Sequence, residues 1–138
     1  MTRQELADHI RPLLPASWVV MPTAREFDVD SSVPCYVAIQ RIRVVPSGQY
    51  SGWFRETYLA YVITPRQADD VSLDDELDDL LDETLLALDS DTTLVIQQAT
   101  RDTYGQRQLH CWSVELEAAG QRTDAPIGKG KENGTGTS

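Results

Sequence analysis

The stretch SLDDELDDLLDETLLAL, residues 72–88, decides the fold. Leu73, Leu77, Leu80, Leu81, Thr84, Leu85 and Leu88 recur at helical spacing and make one continuous apolar stripe. Ser72 is placed to cap the helix, with Asp75 three residues later. Asp74, Asp75 and Glu76 fall in the first turn, where the helix dipole favours negative charge. The opposite side is almost wholly acidic. Asp74–Asp78, Asp75–Asp79, Asp78–Asp82 and Asp79–Glu83 are like-charge pairs four residues apart, each costing about 0.2–0.5 kcal/mol. Such a helix forms only if its leucine face is buried against another layer.

The flanking sequence supplies that layer. Upstream, CYVAIQRIRVV (35–45) and WFRETYLAYVIT (53–64) read as strands joined by a turn at PSGQYSG (46–52). In the first of them the apolar phase runs through Cys35, Val37 and Ile39 and then moves to Ile42 and Val44, so a bulge is expected near Gln40. Downstream, Thr93–Thr100 and Arg107–Glu117 read as two more strands around a turn at Tyr104-Gly105. At the other end, residues 2–14 read as a short helix. Thr2 caps it, Glu5 completes a capping box, and Pro15 stops it. SWVVM (17–21) is a short strand, and PTAREFDVDSSVP (22–34) a loop. The order α-β-β-β-α-β-β predicts an α+β fold: a mostly antiparallel sheet with two helices packed on one face. Residues 1–119 are expected as one domain. GQRTDAPIGKGKENGTGTS (120–138), with no aromatic residue and one Ile, is expected as a flexible tail.

Composition removes several function classes. The chain has 138 residues and a net charge of −10, from 12 basic and 22 acidic side chains. Eleven of those acids, and no base, lie between Asp69 and Asp91, so the rest of the chain is close to neutral. No apolar run approaches the roughly 20 residues of a membrane span. MTRQELADHI carries charges where a signal peptide needs an apolar core, which points to the cytoplasm rather than export. Cys35 and Cys111 are too few for a disulfide scaffold or a four-cysteine zinc site. They are expected as small buried side chains, with a single disulfide as the alternative.

No residue pattern points to catalysis. His110 and Cys111 are neighbours on a strand and face opposite ways, so they cannot act as a base–nucleophile pair. His9 stands alone on the first helix. There is no G-x-S-x-G, phosphate-cradling glycine loop, G-x-G-x-x-G or H-E-x-x-H. The acidic run lacks the glycine that a calcium loop uses for its sharp turn. We therefore expect no catalytic, cofactor-binding or metal-binding residues. The candidate residues are interfacial: Asp74, Asp75, Asp78, Asp79 and Asp82 on the helix, Arg41, Arg43 and Arg55 on the strands, and Tyr50 and Trp53 at the hairpin. Each has a plain alternative reading. The acids suit a solvated helix face, the arginines suit cross-strand pairs with Glu56 or Glu115, and the aromatics suit a sheet edge.

Five segments carry a resemblance to a known family: ELADHIRPLLPASWVVMP (5–22), VAIQRIRVVP (37–46), YVITP (61–65), LDDELDDLLDETLLALD (73–89) and WSVELEA (112–118). In order and pattern, over about residues 5–118, the chain resembles the small tail terminator (tail-completion) proteins of long-tailed bacteriophages, especially those of actinobacteria. The resemblance implies a virion protein that forms a ring with copies of itself, usually a hexamer. That ring caps the head-proximal end of the tail tube, contacts the major tail tube protein and the head–tail connector, and lets genomic DNA pass without specific binding. It implies no enzyme, no cofactor and no membrane. A connector stopper or adaptor, and a soluble acidic regulator that imitates nucleic acid, are the alternatives in neighbouring and different classes.

Overall fold

The computed structural model describes residues 2–46, 53–67 and 70–121. Helix α1 spans Arg3–Ile10. Its capping box is complete: Glu5 N donates to Thr2 Oγ1 at 3.1 Å, and Thr2 N donates to Glu5 Oε1 at 2.7 Å. The helix is shorter than its apolar spacing predicts. Pro12 lies inside a single 3-10 turn, Arg11–Leu13, where the α-helical ladder has already stopped. Strands β1 (Val19–Met21), β2 (Tyr36–Pro46) and β3 (Trp53–Ile63) follow, then helix α2 (Val71–Asp89), then β4 (Leu94–Tyr104) and β5 (Leu109–Gln121).

The five strands form one sheet in the order β1-β2-β3-β5-β4, antiparallel except for the β1–β2 pair. The element order and the α+β architecture are those the sequence predicts. β2–β3 and β4–β5 are hairpins. β1 runs parallel to β2 because residues 22–34 cross back over the sheet before β2 begins. The chain from β3 through α2 to β4 skips one position, which β5 then fills. β5 extends through Gln121, so residues 120–121 belong to the sheet. The remainder of the predicted tail, 122–138, lies outside the described residues.

Both faces of the sheet carry a core. On one face, Leu6, Ala7 and Ile10 of α1 and Leu80, Leu81 and Leu88 of α2 pack on Val37, Ile39, Tyr58, Ala60, Val62, Val114 and Leu116. The leucine stripe reads as predicted: Leu73, Leu77, Leu80, Leu81, Thr84 and Leu88 are all buried, and Leu85 is half-buried. On the other face, Phe27, Val29 and Val33 of the 22–34 loop cover Tyr36, Ala38, Ile63, Tyr104, Leu109 and Cys111. Three hydrogen bonds pin that loop. Tyr104 Oη donates to Arg25 O at 2.7 Å, Gln106 N donates to Glu26 Oε2 at 2.9 Å, and Asp30 N donates to Tyr36 Oη at 2.8 Å. The β4–β5 turn that receives Glu26 needs Gly105, which sits at φ +71°.

Cys35 and Cys111 are buried and unbonded, and they belong to cores on opposite faces of the sheet, which removes the disulfide alternative. Burial pushes both thiols up, Cys111 to about 12. The cap of α2 is Asp70 rather than Ser72: its carboxylate accepts from Leu73 N at 2.9 Å, and the helix begins one residue before Ser72.

The stripe makes a direct test of what holds α2 down. Leu77→Ala and Leu88→Ala each empty a fully buried site and should cost about 2–5 kcal/mol in urea unfolding. Leu86→Ala, at a site 78% exposed, should stay within about 0.5 kcal/mol of the parent.

Candidate functional site

The acidic helix divides into two parts. Near its N-terminus the carboxylates are matched within the chain. Arg66 Nη1 donates to Glu76 Oε1 at 2.7 Å and to Ser72 Oγ at 3.2 Å, and its other nitrogen lies 3.6 Å from Asp70. Thr64 Oγ1 donates to the second Glu76 oxygen at 3.0 Å. Arg101 on β4 reaches Asp74 at 3.1 Å. Further along, Asp75, Asp78, Asp79 and Asp82 are exposed and, among the described residues, have no ion-pair partner. Spacings of three and four residues set Asp75, Asp79, Asp82, Leu86 and Asp89 in one row along the outer side of the helix. Leu86 is an exposed apolar side chain in an acidic row. Of the predicted acidic set, Asp74 is thus committed within the chain, and the other four are available to a partner.

The arginines are not one patch. Read as simple alternation, Arg41 and Arg43 share a face of β2. The structure separates them, because the register slips between them and leaves Ile42 as the extra residue. The bulge expected near Gln40 falls at Ile42, two residues on. Arg41 stands opposite Tyr58 on the helix-bearing face, and Arg43 stands opposite Thr57 on the other. Arg41 lies 3.6 Å from Glu56 Oε2, and Arg43 lies 3.7 Å from Glu115. Both separations are loose electrostatic contacts of half-exposed arginines, worth little to stability. Arg55 is exposed, opposite Val45, and has no ion-pair partner among the described residues. Trp53 opens β3, paired with Gln121. Tyr50, with the hairpin tip at 47–52, lies outside the described residues.

Two polar arrangements escape the sequence patterns. Glu56 is buried on β3 and accepts from Tyr58 Oη at 2.6 Å. Burial, and then this carboxylate, push the Tyr58 phenol upward. His9 of α1 pairs with Asp91, just beyond α2, and so ties the two helices together. Asp91 also accepts from Thr93 N at 2.8 Å and from the Thr93 hydroxyl. The Thr93 bonds, and then His9, hold its carboxyl below the usual range. Among the described residues, no group of three or more His, Cys, Asp or Glu side chains is placed to hold a metal ion, and no helix is long and apolar enough to cross a membrane.

Compared with known proteins, the chain matches no family model and no curated sequence.

The Asp91 contacts carry a pH signature. A carboxyl held low in the folded state adds stability above its unfolded value near pH 4, and that stability is lost as pH falls through the folded value. Asp91→Asn should therefore be less stable than the parent at pH 7, and thermal melts of the two proteins should converge as pH falls below the ordinary carboxylate range.

Proposed function

We propose that this chain is a structural virion subunit that closes with copies of itself into a ring. The ring ends a phage tail tube and joins it to the head connector. The sequence resemblance supports this reading, as does the α+β element order it implies. The observation that carries it is the separation of charge. Among the described residues, Asp75, Asp78, Asp79, Asp82, Glu83 and Asp89 on α2 are exposed without an ion-pair partner, while Arg43 and Arg55 stand exposed on the far face of the sheet and Arg41 at its open edge. A surface acidic on one side and basic on another suits a heterologous contact, in which each subunit offers its acids to the arginines of the next. Acidic side chains left facing a central channel would also keep passing DNA from sticking, because phosphates find no counter-charge there.

In this reading the contacts on either side of the ring are the major tail tube protein and the connector, and no covalent chemistry is involved. Electron microscopy of the purified protein mixed with tail tubes tests it. Tubes should be capped at one end by a ring; bare tube ends beside unassembled protein would count against it. The triple reversal Asp78→Lys, Asp79→Lys and Asp82→Lys should leave the fold intact, because all three side chains are exposed. It should abolish the ring at low salt, read as mass by light scattering.

A further inference from the structure

Both long edges of the sheet are open at the same level. Among the described residues, β4 is an edge strand along its whole length. β1 covers β2 only from Tyr36 to Ala38, so from Ile39 to Pro46 the outer side of β2 has no strand beside it among the described residues. The pairings across the sheet bring these edges into line. Arg41 pairs with Tyr58, Tyr58 with Leu116, and Leu116 with Ile96. In the next row, Arg43 pairs with Thr57, Thr57 with Glu117, and Glu117 with Val95. The Arg41-Ile42-Arg43 bulge on one edge therefore stands level with Val95 and Ile96 on the other.

The two edges are chemically complementary. Against β4, α2 forms a shallow groove of about 410 Å³ lined by Asp82, Leu85, Leu86, Asp89 and Ile96. Leu86 is 78% exposed; Val95, on the opposite face of β4 from Ile96, is 52% exposed. On the β2 edge, Ile42 is 42% exposed between two arginines. One edge is thus a shallow groove of apolar and acidic side chains, and the other an apolar side chain with basic neighbours. Arg41 lies on the helix-bearing side of the sheet, the side on which Asp82 and Asp89 stand.

We infer that the groove between α2 and β4 receives the Arg41-Ile42-Arg43 bulge of a second copy of this chain. Ile42 enters between Leu86 and Ile96, and Arg41 meets Asp82 and Asp89. The inference rests on the ring reading and names its seam. Three features fit a closed ring. The contact is heterologous, and its halves lie level across the sheet, so repeating it needs no climb along the strands and favours closure over a helical filament. β4 and β2 run in opposite directions, so neighbouring copies that point the same way meet edge to edge as antiparallel strands. Each edge also carries a bulge at this level, at Ile42 and at Gln97. Bulges break up a uniform backbone ladder and leave recognition to the side chains.

The test is disulfide trapping with Ile42→Cys and Leu86→Cys, made singly and together. Cys35 and Cys111 are fully buried and stay silent, and thermal melts confirm that each variant folds. After oxidation with diamide at low salt, the mixed single variants should give a covalent dimer joined 42 to 86. The double variant should give a ladder that ends at the subunit number of the ring. A ring seen by light scattering without the 42–86 bond, or with only 42–42 and 86–86 bonds, overturns this seam and leaves the ring standing. A protein that stays monomeric at every concentration, with no cross-link, overturns the ring reading itself.

Discussion

Everything in this molecule depends on the leucine face of α2 being held against the sheet. The helix carries acids along its whole outer side and would not persist alone. Its four like-charge pairs at i,i+4 oppose it by roughly 1–2 kcal/mol together. Against that, Leu73, Leu77 and Leu88 are fully buried and Leu80 and Leu81 nearly so, and each buried leucine contributes about 1.5–3 kcal/mol. Burial wins by several-fold, so the helix forms despite its charge. The same anchoring fixes which side of α2 faces outward. The acidic row is therefore a rigid feature at a fixed place, beside the β4 edge, rather than a loose run of charge.

That placement changes the meaning of the net charge. Spread over a surface, −10 would mean solubility and repulsion of nucleic acid. Here Arg66 and Arg101 neutralise the first turns of α2, while Asp75, Asp78, Asp79, Asp82 and Asp89 remain along the rest. Part of the unmatched charge, Asp82 and Asp89, lines a shallow groove together with Leu85, Leu86 and Ile96. Exposed apolar side chains interleaved with unmatched charge suit a protein interface, where apolar burial supplies affinity and charge supplies orientation.

Much of this was legible in the sequence, and the physics explains where legibility ended. The capping box at Thr2 and Glu5 and the leucine stripe are local patterns with local causes, and both stand as read. The element order followed from periodicity. The cap of α2 was misplaced by two residues because Asp70 and Ser72 are both good caps, and only the extended backbone at Asp70 decides between them. The switch of apolar phase between Ile39 and Ile42 announces a bulge, but only the pairing of Arg41 with Tyr58 and of Arg43 with Thr57 shows that it falls between the two arginines and sends them to opposite faces. Phe27, Val29 and Val33 sit among turn residues, and nothing local announced that their loop covers the second face of the sheet. The groove joins two elements that meet only in the fold, so it had no sequence signature; the one sign was Leu86, an apolar residue off the leucine stripe.

In the proposed ring, an acidic surface with exposed apolar side chains on α2 and β4 meets a basic edge of another copy. The most direct measurement is sedimentation of the unaltered protein across ionic strength. The Debye length falls from about 10 Å at 0.1 M salt to about 3 Å at 1 M. One closed oligomer of fixed mass is expected at low salt, dissociating progressively toward monomer as salt rises. A monomer at every salt concentration, or an oligomer whose stability does not change with salt, would contradict it.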